Sequence, residues 1–114
     1  MRDMYEVMDR WGAWAACDNN GVEWKPIAAG FKGLLPYGKK SRIQCNDDEG
    51  IIIDGCLTKL KQARYTEYEI IIAHFVLGIS LRTIAKKKRC SDGSIRKELL
   101  SGLGFIDGAL SMLC

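Results

Sequence analysis

Hydrophobic residues recur at helical spacing in the first half of this chain. The pattern predicts a helix over residues 2–16, although Gly12 should weaken it by about 1 kcal/mol relative to alanine. A second helix is predicted over about residues 49–62, and Asn46 or Asp47 is a suitable residue to cap it. Each of these helices has one apolar face, which we expect to be buried.

The second half of the chain predicts further helices. Thr66 would begin a strongly apolar helix, because Glu69 lies three residues on and completes a capping box. Gly78 would end this helix in the left-handed conformation. Three glycines interrupt the last helix: Gly102, Gly104 and Gly108. We expect a bend or a close helix crossing there, and the alternative is a flexible joint.

The segment over residues 17–48 separates the first two helices. It contains glycine and proline too often for a long helix or strand. It also contains large apolar residues, including Trp24 and Phe31, that a disordered linker would lack. We therefore expect a packed, irregular loop with one or two helical turns.

Residues 78–100 have the pattern of a helix-turn-helix. The pattern starts with a helix end at Gly78, a buried residue at Ile79 and a helix cap at Ser80. A turn at Arg89–Cys90 and a second helix cap at Ser91 follow. Cys90 is expected to be half-buried in the turn. The chain is thus predicted to be a compact all-α domain over residues 1–114, with about five helices and a C-terminal helix-turn-helix.

Positive charge concentrates in this module. Residues 1–57 contain 7 Lys/Arg and 9 Asp/Glu, whereas residues 58–114 contain 10 and 5. The second module helix presents Ser94, Arg96 and Lys97 outward, a face that suits the major groove of duplex DNA. A basic cluster at the turn would contact the DNA backbone: Lys86, Lys87, Lys88 and Arg89.

The sequence GISLRTIAKKKRCSDGSIRKELL resembles the helix-turn-helix of sigma-factor region 4. The whole chain resembles the antitermination protein Q family of lambdoid phages. This resemblance rests on RWGAWAA (10–16), PIAAGFKGLLP (26–36), DDEGIIIDGCLTKLK (47–61), YEIIIAHFVLGIS (68–80) and FIDGALSML (105–113).

The resemblance implies a protein that binds DNA near a phage late promoter and engages RNA polymerase paused just downstream. The protein would then travel with polymerase and make it read through terminators. By position, the residues facing DNA would be Ser91, Ser94, Arg96 and Lys97, with backbone contacts from Arg82, Lys86, Lys87 and Lys88. The recognition helix begins with Asp92 and Gly93, a poor start for phosphate contact, so affinity should depend on polymerase or a second copy.

The remaining residues suggest neither catalysis nor a cofactor. The chain has no recognisable nucleophile–base pair or paired carboxylate, and it lacks the ligand spacing of a metal site, including the zinc-binding insert of some Q-type proteins. His74, Trp11, Trp14 and Trp24 are expected to be core or boundary residues, although the tryptophans could instead form a docking patch. An odd number of cysteines and the lack of a membrane span predict a soluble, intracellular protein. The family resemblance implies that its location is the cytoplasm of a bacterial host.

Residues 1–62 are expected to contact polymerase, or its sigma factor, and residues 66–113 to contact DNA. Two copies could pair on DNA. Two other functions remain open at this point: a promoter-binding repressor or activator, and an adaptor that uses the helix-turn-helix for protein contact.

Overall fold

A computed structural model describes residues 3–17, 25–34 and 43–113, and no β-strand occurs in these ranges. The helices are α1 (Met4–Ala16), α2 (Lys25–Gly30), α3 (Asp47–Ala63), α4 (Tyr65–Ile71, continued by a π-helical turn, Ile72–Val76), α5 (Leu81–Lys88) and α6 (Asp92–Leu113). The predicted all-α fold is confirmed. In the loop predicted over residues 17–48, α2 supplies the expected helical turn, whereas residues 18–24 and 35–42, with Trp24, lie outside the described residues.

The first and third helices begin at side-chain caps. The Asp3 carboxylate accepts hydrogen bonds from the amides of Tyr5 and Glu6, and the Asn46 side chain accepts one from the Glu49 amide at 2.8 Å. Asp47 uses its carboxylate differently, because it accepts a hydrogen bond from Trp14 Nε1 at 2.9 Å. The start of α3 is therefore fixed to α1 as well as capped.

The predicted capping box at the start of α4 is wrong. Only Arg64 separates α3 from α4, and it occupies the cap position without a side-chain cap hydrogen bond. Thr66 consequently lies inside the first turn. The Arg64 guanidinium instead donates to Ser101 Oγ of α6 at 2.9 Å, so tertiary contacts hold this corner in place of a local cap.

The core lies where α1, α3, α4 and α6 meet. Its largest fully buried side chains are Trp11, Phe75, Met8, Leu57, Leu60, Ile70, Ile71, Ile72, Ile79, Ile84, Ile95 and Ile106. Trp14 is 5% exposed, so the predicted burial of Trp11 and Trp14 is confirmed. Burial of this much apolar surface is the main stabilising contribution to such a fold.

Gly12 allows α1 to approach the π-helical turn. A Cβ atom at this position would lie 2.1 Å from the Phe75 carbonyl oxygen and 2.6 Å from the Phe75 carbonyl carbon. Both are backbone atoms, so a larger residue would force the two elements apart. The same glycine that weakens α1 locally is therefore what lets it pack.

The predicted interruption of the last helix is wrong, since α6 continues through all three of its C-terminal glycines, whereas the close helix crossing predicted there is confirmed at one of them. Gly102 marks a close crossing with α4, where a Cβ would lie 2.9 Å from Ile71 Cδ1 and 3.3 Å from Glu67 Cβ. Apart from the backbone of α6 itself, no atom of the described residues lies within 4 Å of a Cβ built at Gly104 or Gly108. A continuous buried face outweighs the low helix propensity of glycine here, and it comprises Ile95, Leu99, Leu103, Ile106 and Leu110.

We expect Gly12→Ala to lower the free energy of unfolding by about 2–3 kcal/mol, because the new methyl group would overlap the backbone of Phe75. Gly55→Ala is the matched control, since Gly55 is an exposed residue of α3 with no atom within 4 Å of its Cβ position. That substitution should raise stability by about 0.5–1 kcal/mol. Urea denaturation measures both, and equal effects would contradict the proposed close approach.

Candidate nucleic-acid interface

The helix-turn-helix starts from the π-helical turn. The Leu77 amide donates to the Ile72 carbonyl at 3.1 Å, and the Ile79 amide donates to the Ala73 carbonyl at 3.0 Å. Gly78 has φ +75°, which confirms the predicted left-handed helix end. Ile79 then enters the core at 2% exposure, as predicted.

Both helices of the module begin at serine caps, as the sequence predicts. Ser80 Oγ accepts a hydrogen bond from the Thr83 amide at 3.2 Å, and Ser91 Oγ accepts one from the Ser94 amide at 3.1 Å. Each cap satisfies an amide that the first turn of a helix leaves without a partner. The start and direction of α5 and α6 are thus set locally.

The turn between α5 and α6 contains Arg89 at φ +56°, a left-handed conformation that is uncommon for a residue with a Cβ. Cys90 follows it and is exposed, so the prediction that this residue is half-buried is wrong. The junction of the two helices is filled without it, by Ile84, Ala85, Ile95 and Leu99.

The predicted DNA-facing residues lie on the exposed side of this module. Ser91, Ser94, Arg96 and Lys97 are all exposed along the first turns of α6. Lys86 and Lys87 are exposed at the end of α5. The arrangement offers hydroxyl groups and cations together on one surface, which is suited to base edges and phosphates.

Two of the residues predicted to contact the DNA backbone form ion pairs within the protein. Lys88 forms an ion pair with Glu69 of α4, and both side chains are about three-quarters buried, with exposures of 27% and 24%. Arg82 lies 3.9 Å from the Asp92 carboxylate, with 78% of its side chain exposed. The Lys88 ion pair therefore holds α5 against α4. The exposed pair between Arg82 and Asp92 joins the starts of α5 and α6 only weakly.

Tyr5 of α1 senses the charge of this surface, and the sequence pattern does not single it out. Burial raises the pKa of the Tyr5 phenol and the Asp9 carboxylate raises it further, whereas the Arg96 guanidinium lowers it. Arg96 of α6 thus lies within electrostatic reach of α1. The Tyr5 hydroxyl also hydrogen-bonds His74, which is half-buried as predicted.

The described residues were also compared with the patterns of metal sites, membrane spans and reactive cysteines. Within residues 3–17, 25–34 and 43–113, no three His, Cys, Asp or Glu side chains are grouped to hold a metal ion. No helix among these residues is long and apolar enough to cross a bilayer. The cysteines at positions 17, 45, 56 and 90 are free thiols. Desolvation raises the pKa of Cys45 and Cys56, which makes both poor nucleophiles at neutral pH.

We expect Lys88→Met to lower the free energy of unfolding by about 1–2 kcal/mol, since it leaves the Glu69 carboxylate, about three-quarters buried, without its cation. Lys87→Met removes the same charge from the neighbouring, exposed position and should change stability by less than about 0.5 kcal/mol. Thermal unfolding of both variants provides the comparison. A Lys88 variant as stable as the Lys87 variant would exclude a structural role for the ion pair.

Known proteins resemble this chain along its whole length. The family model for phage antitermination protein Q matches residues 1–114. The probable antitermination protein Q of Acyrthosiphon pisum secondary endosymbiont phage 1 is 50% identical over 113 residues, which cover 98% of this chain and 76% of that protein. Antitermination protein Q of Escherichia phage 933W is 44% identical over 113 residues, covering 99% of this chain and 78% of the relative.

Solved structures with the same fold include transcription antitermination factor Q21. One Q21 structure, in complex with Q21-binding-element DNA, has a TM-score of 0.66 at 18% identity and covers 95% of this chain and 89% of that chain. At this identity the likeness concerns the fold. The family model and the relatives, which match nearly the whole sequence, establish that this chain belongs to the phage antitermination protein Q family.

Proposed function

We propose that this protein binds duplex DNA through α5 and α6 and modifies RNA polymerase so that it transcribes through terminators. Family membership supports antitermination, and the exposed face of α6 supports DNA binding. The observation that carries the DNA-binding proposal is a capped recognition helix with Ser94, Arg96 and Lys97 on its solvent side. The Q21 structure in complex with its binding-element DNA is consistent with this use of the fold.

Each residue of the interface would have a distinct part. Arg96 and Lys97 would enter the major groove, where arginine pairs with guanine and lysine contacts bases or phosphate. Lys86 and Lys87, exposed at the end of α5, would contact the flanking phosphates. Arg82 would do so after leaving Asp92, and Lys88 only at the expense of its pair with Glu69.

The second partner would be the bacterial RNA polymerase, in the host cytoplasm. Residues 1–62 are proposed to contact it, which leaves residues 66–113 free to hold DNA. Exposed acidic side chains, including Glu6, Asp48 and Glu49, lie at the starts of α1 and α3, whereas the proposed DNA-binding face carries exposed cations. Such a division would let one small protein contact DNA and enzyme at once.

We expect Arg96→Ala/Lys97→Ala to weaken binding by about 10- to 100-fold to a duplex that the wild-type protein selects from a random library. The slope of log affinity against log salt should fall by about one for each phosphate-binding cation that the substitutions remove. Lys32→Ala/Lys59→Ala removes the same charge from exposed positions outside the module and should bind nearly as the wild type does. Fluorescence anisotropy measures all three proteins, and equal losses in both variants would indicate general charge attraction rather than this interface.

Single-round transcription tests antitermination itself. The template carries the selected duplex at the promoter and a strong terminator downstream, and protein is added before or after promoter escape. We expect read-through that requires the upstream element and is abolished in Arg96→Ala/Lys97→Ala. Unchanged termination with altered promoter firing would instead identify a regulator of initiation.

A further inference from the structure

An acidic side chain lies at the start of the recognition helix. Asp92 is the first residue of α6, directly after the Ser91 cap, and 47% of its side chain is exposed. The first residues of a recognition helix are the ones that reach base edges in the major groove. A carboxylate at this position also repels the DNA phosphates, so it lowers affinity for DNA of every sequence unless it gains a specific contact.

Arg82 is the partner of this carboxylate in the protein without DNA. Its Nε atom lies 3.9 Å from Asp92 Oδ2, and 78% of the Arg82 side chain is exposed. An ion pair that is this long and this solvated contributes little to stability, so little is lost when it opens. Both partners can therefore exchange each other for DNA: the guanidinium for a phosphate, and the carboxylate for a hydrogen-bond donor on a base.

The position of Asp92 on α6 directs it to the same groove as Arg96. Arg96 follows four residues later, so the two side chains are neighbours on one face of the helix. Arg96 is exposed and is proposed above to enter the major groove. The neighbouring Ser91 hydroxyl is already used within the protein, because it accepts from the Ser94 amide and donates to Ser94 Oγ at 3.0 Å. A base donor that meets the start of α6 would thus find the Asp92 carboxylate.

The chemistry of a carboxylate decides which base it can bind. An ionised carboxylate only accepts hydrogen bonds, and the donors in the major groove are the amino groups of cytosine and adenine. Adenine carries its N7 acceptor beside the amino group, where it repels a carboxylate, whereas cytosine has no acceptor there. The Asp92 side chain is therefore suited to cytosine.

We propose that Asp92 is a specificity-determining residue, which accepts a hydrogen bond from the amino group of a cytosine in the DNA site after Arg82 has exchanged it for a phosphate. This proposal rests on the proposed DNA binding by α5 and α6, and it names one base that the interface selects. It gives a function to an acidic residue that is unfavourable for phosphate contact.

Selection from a random duplex library tests the proposal with the wild type, Asp92→Asn and Asp92→Ala. The wild type should select cytosine at one position of its site, where any other base weakens binding about tenfold. Asp92→Asn keeps the shape of the side chain and should select adenine at that position, because asparagine pairs with adenine N6 and N7. Asp92→Ala should show no preference there and should bind unrelated duplexes about two- to threefold more tightly, since a charge that repels phosphate is gone.

Two further variants separate base selection from general charge effects. Glu98→Ala is the matched control, because Glu98 is another half-buried acid of α6. It should bind all duplexes more tightly by a similar factor without any change in base preference. Arg82→Ala should weaken binding to every duplex about fivefold, through the loss of one phosphate contact, and should keep the preference for cytosine.

Base preferences that are the same in the wild type and in both Asp92 variants would overturn the proposal. Lower melting temperatures of the Asp92 variants together with that result would assign the carboxylate to the helix dipole instead. A wild-type protein that selects a duplex in which no position responds to Asp92 would contradict this inference alone. If the wild-type protein selects no duplex, the proposed DNA binding fails first, and this inference fails with it.

Discussion

The backbone contact between α1 and the π-helical turn is the constraint on which the rest of the structure depends. Gly12 brings α1 against the Phe75 carbonyl at a distance that no larger residue permits. The π-helical turn in that position sets where Gly78 reverses the chain and where α5 begins. A helix near the N-terminus therefore orients a DNA-binding module whose own sequence lies in the second half of the chain.

Acidic and basic side chains are concentrated on different helices. Acidic side chains lie on α1 and at the start of α3, while the exposed cations of the module lie on α5 and α6. Not every cation of the helix-turn-helix is free to bind a phosphate, because Lys88 forms an ion pair with Glu69. Arg82, by contrast, is mostly solvated, and an exposed pair of this kind contributes little to stability. The number of basic residues consequently overstates the number that can contact phosphate.

A polar contact joins the first turn of α1 to the start of the helix-turn-helix. The Tyr5 hydroxyl hydrogen-bonds His74, and His74 hydrogen-bonds the Ile79 carbonyl just before α5. A residue that is inconspicuous in the sequence of α1 thus contacts, through packing, the π-helical turn that leads into the helix-turn-helix.

The sequence alone determined the features that depend on near neighbours. Helical spacing predicted α1 and α3, and the short-range chemistry of Gly78, Ser80 and Ser91 predicted the helix-turn-helix. Tertiary structure decided the features that join distant segments. Arg64 replaced the local cap expected at Thr66, and packing decided which of the three glycines of α6 forms the helix crossing, and against which residues. The ion-pair partner of Lys88 and the Tyr5–His74 contact could not be predicted from the sequence either. The sequence pattern shows which side chains share a helix face, but it does not show which helix faces pack together.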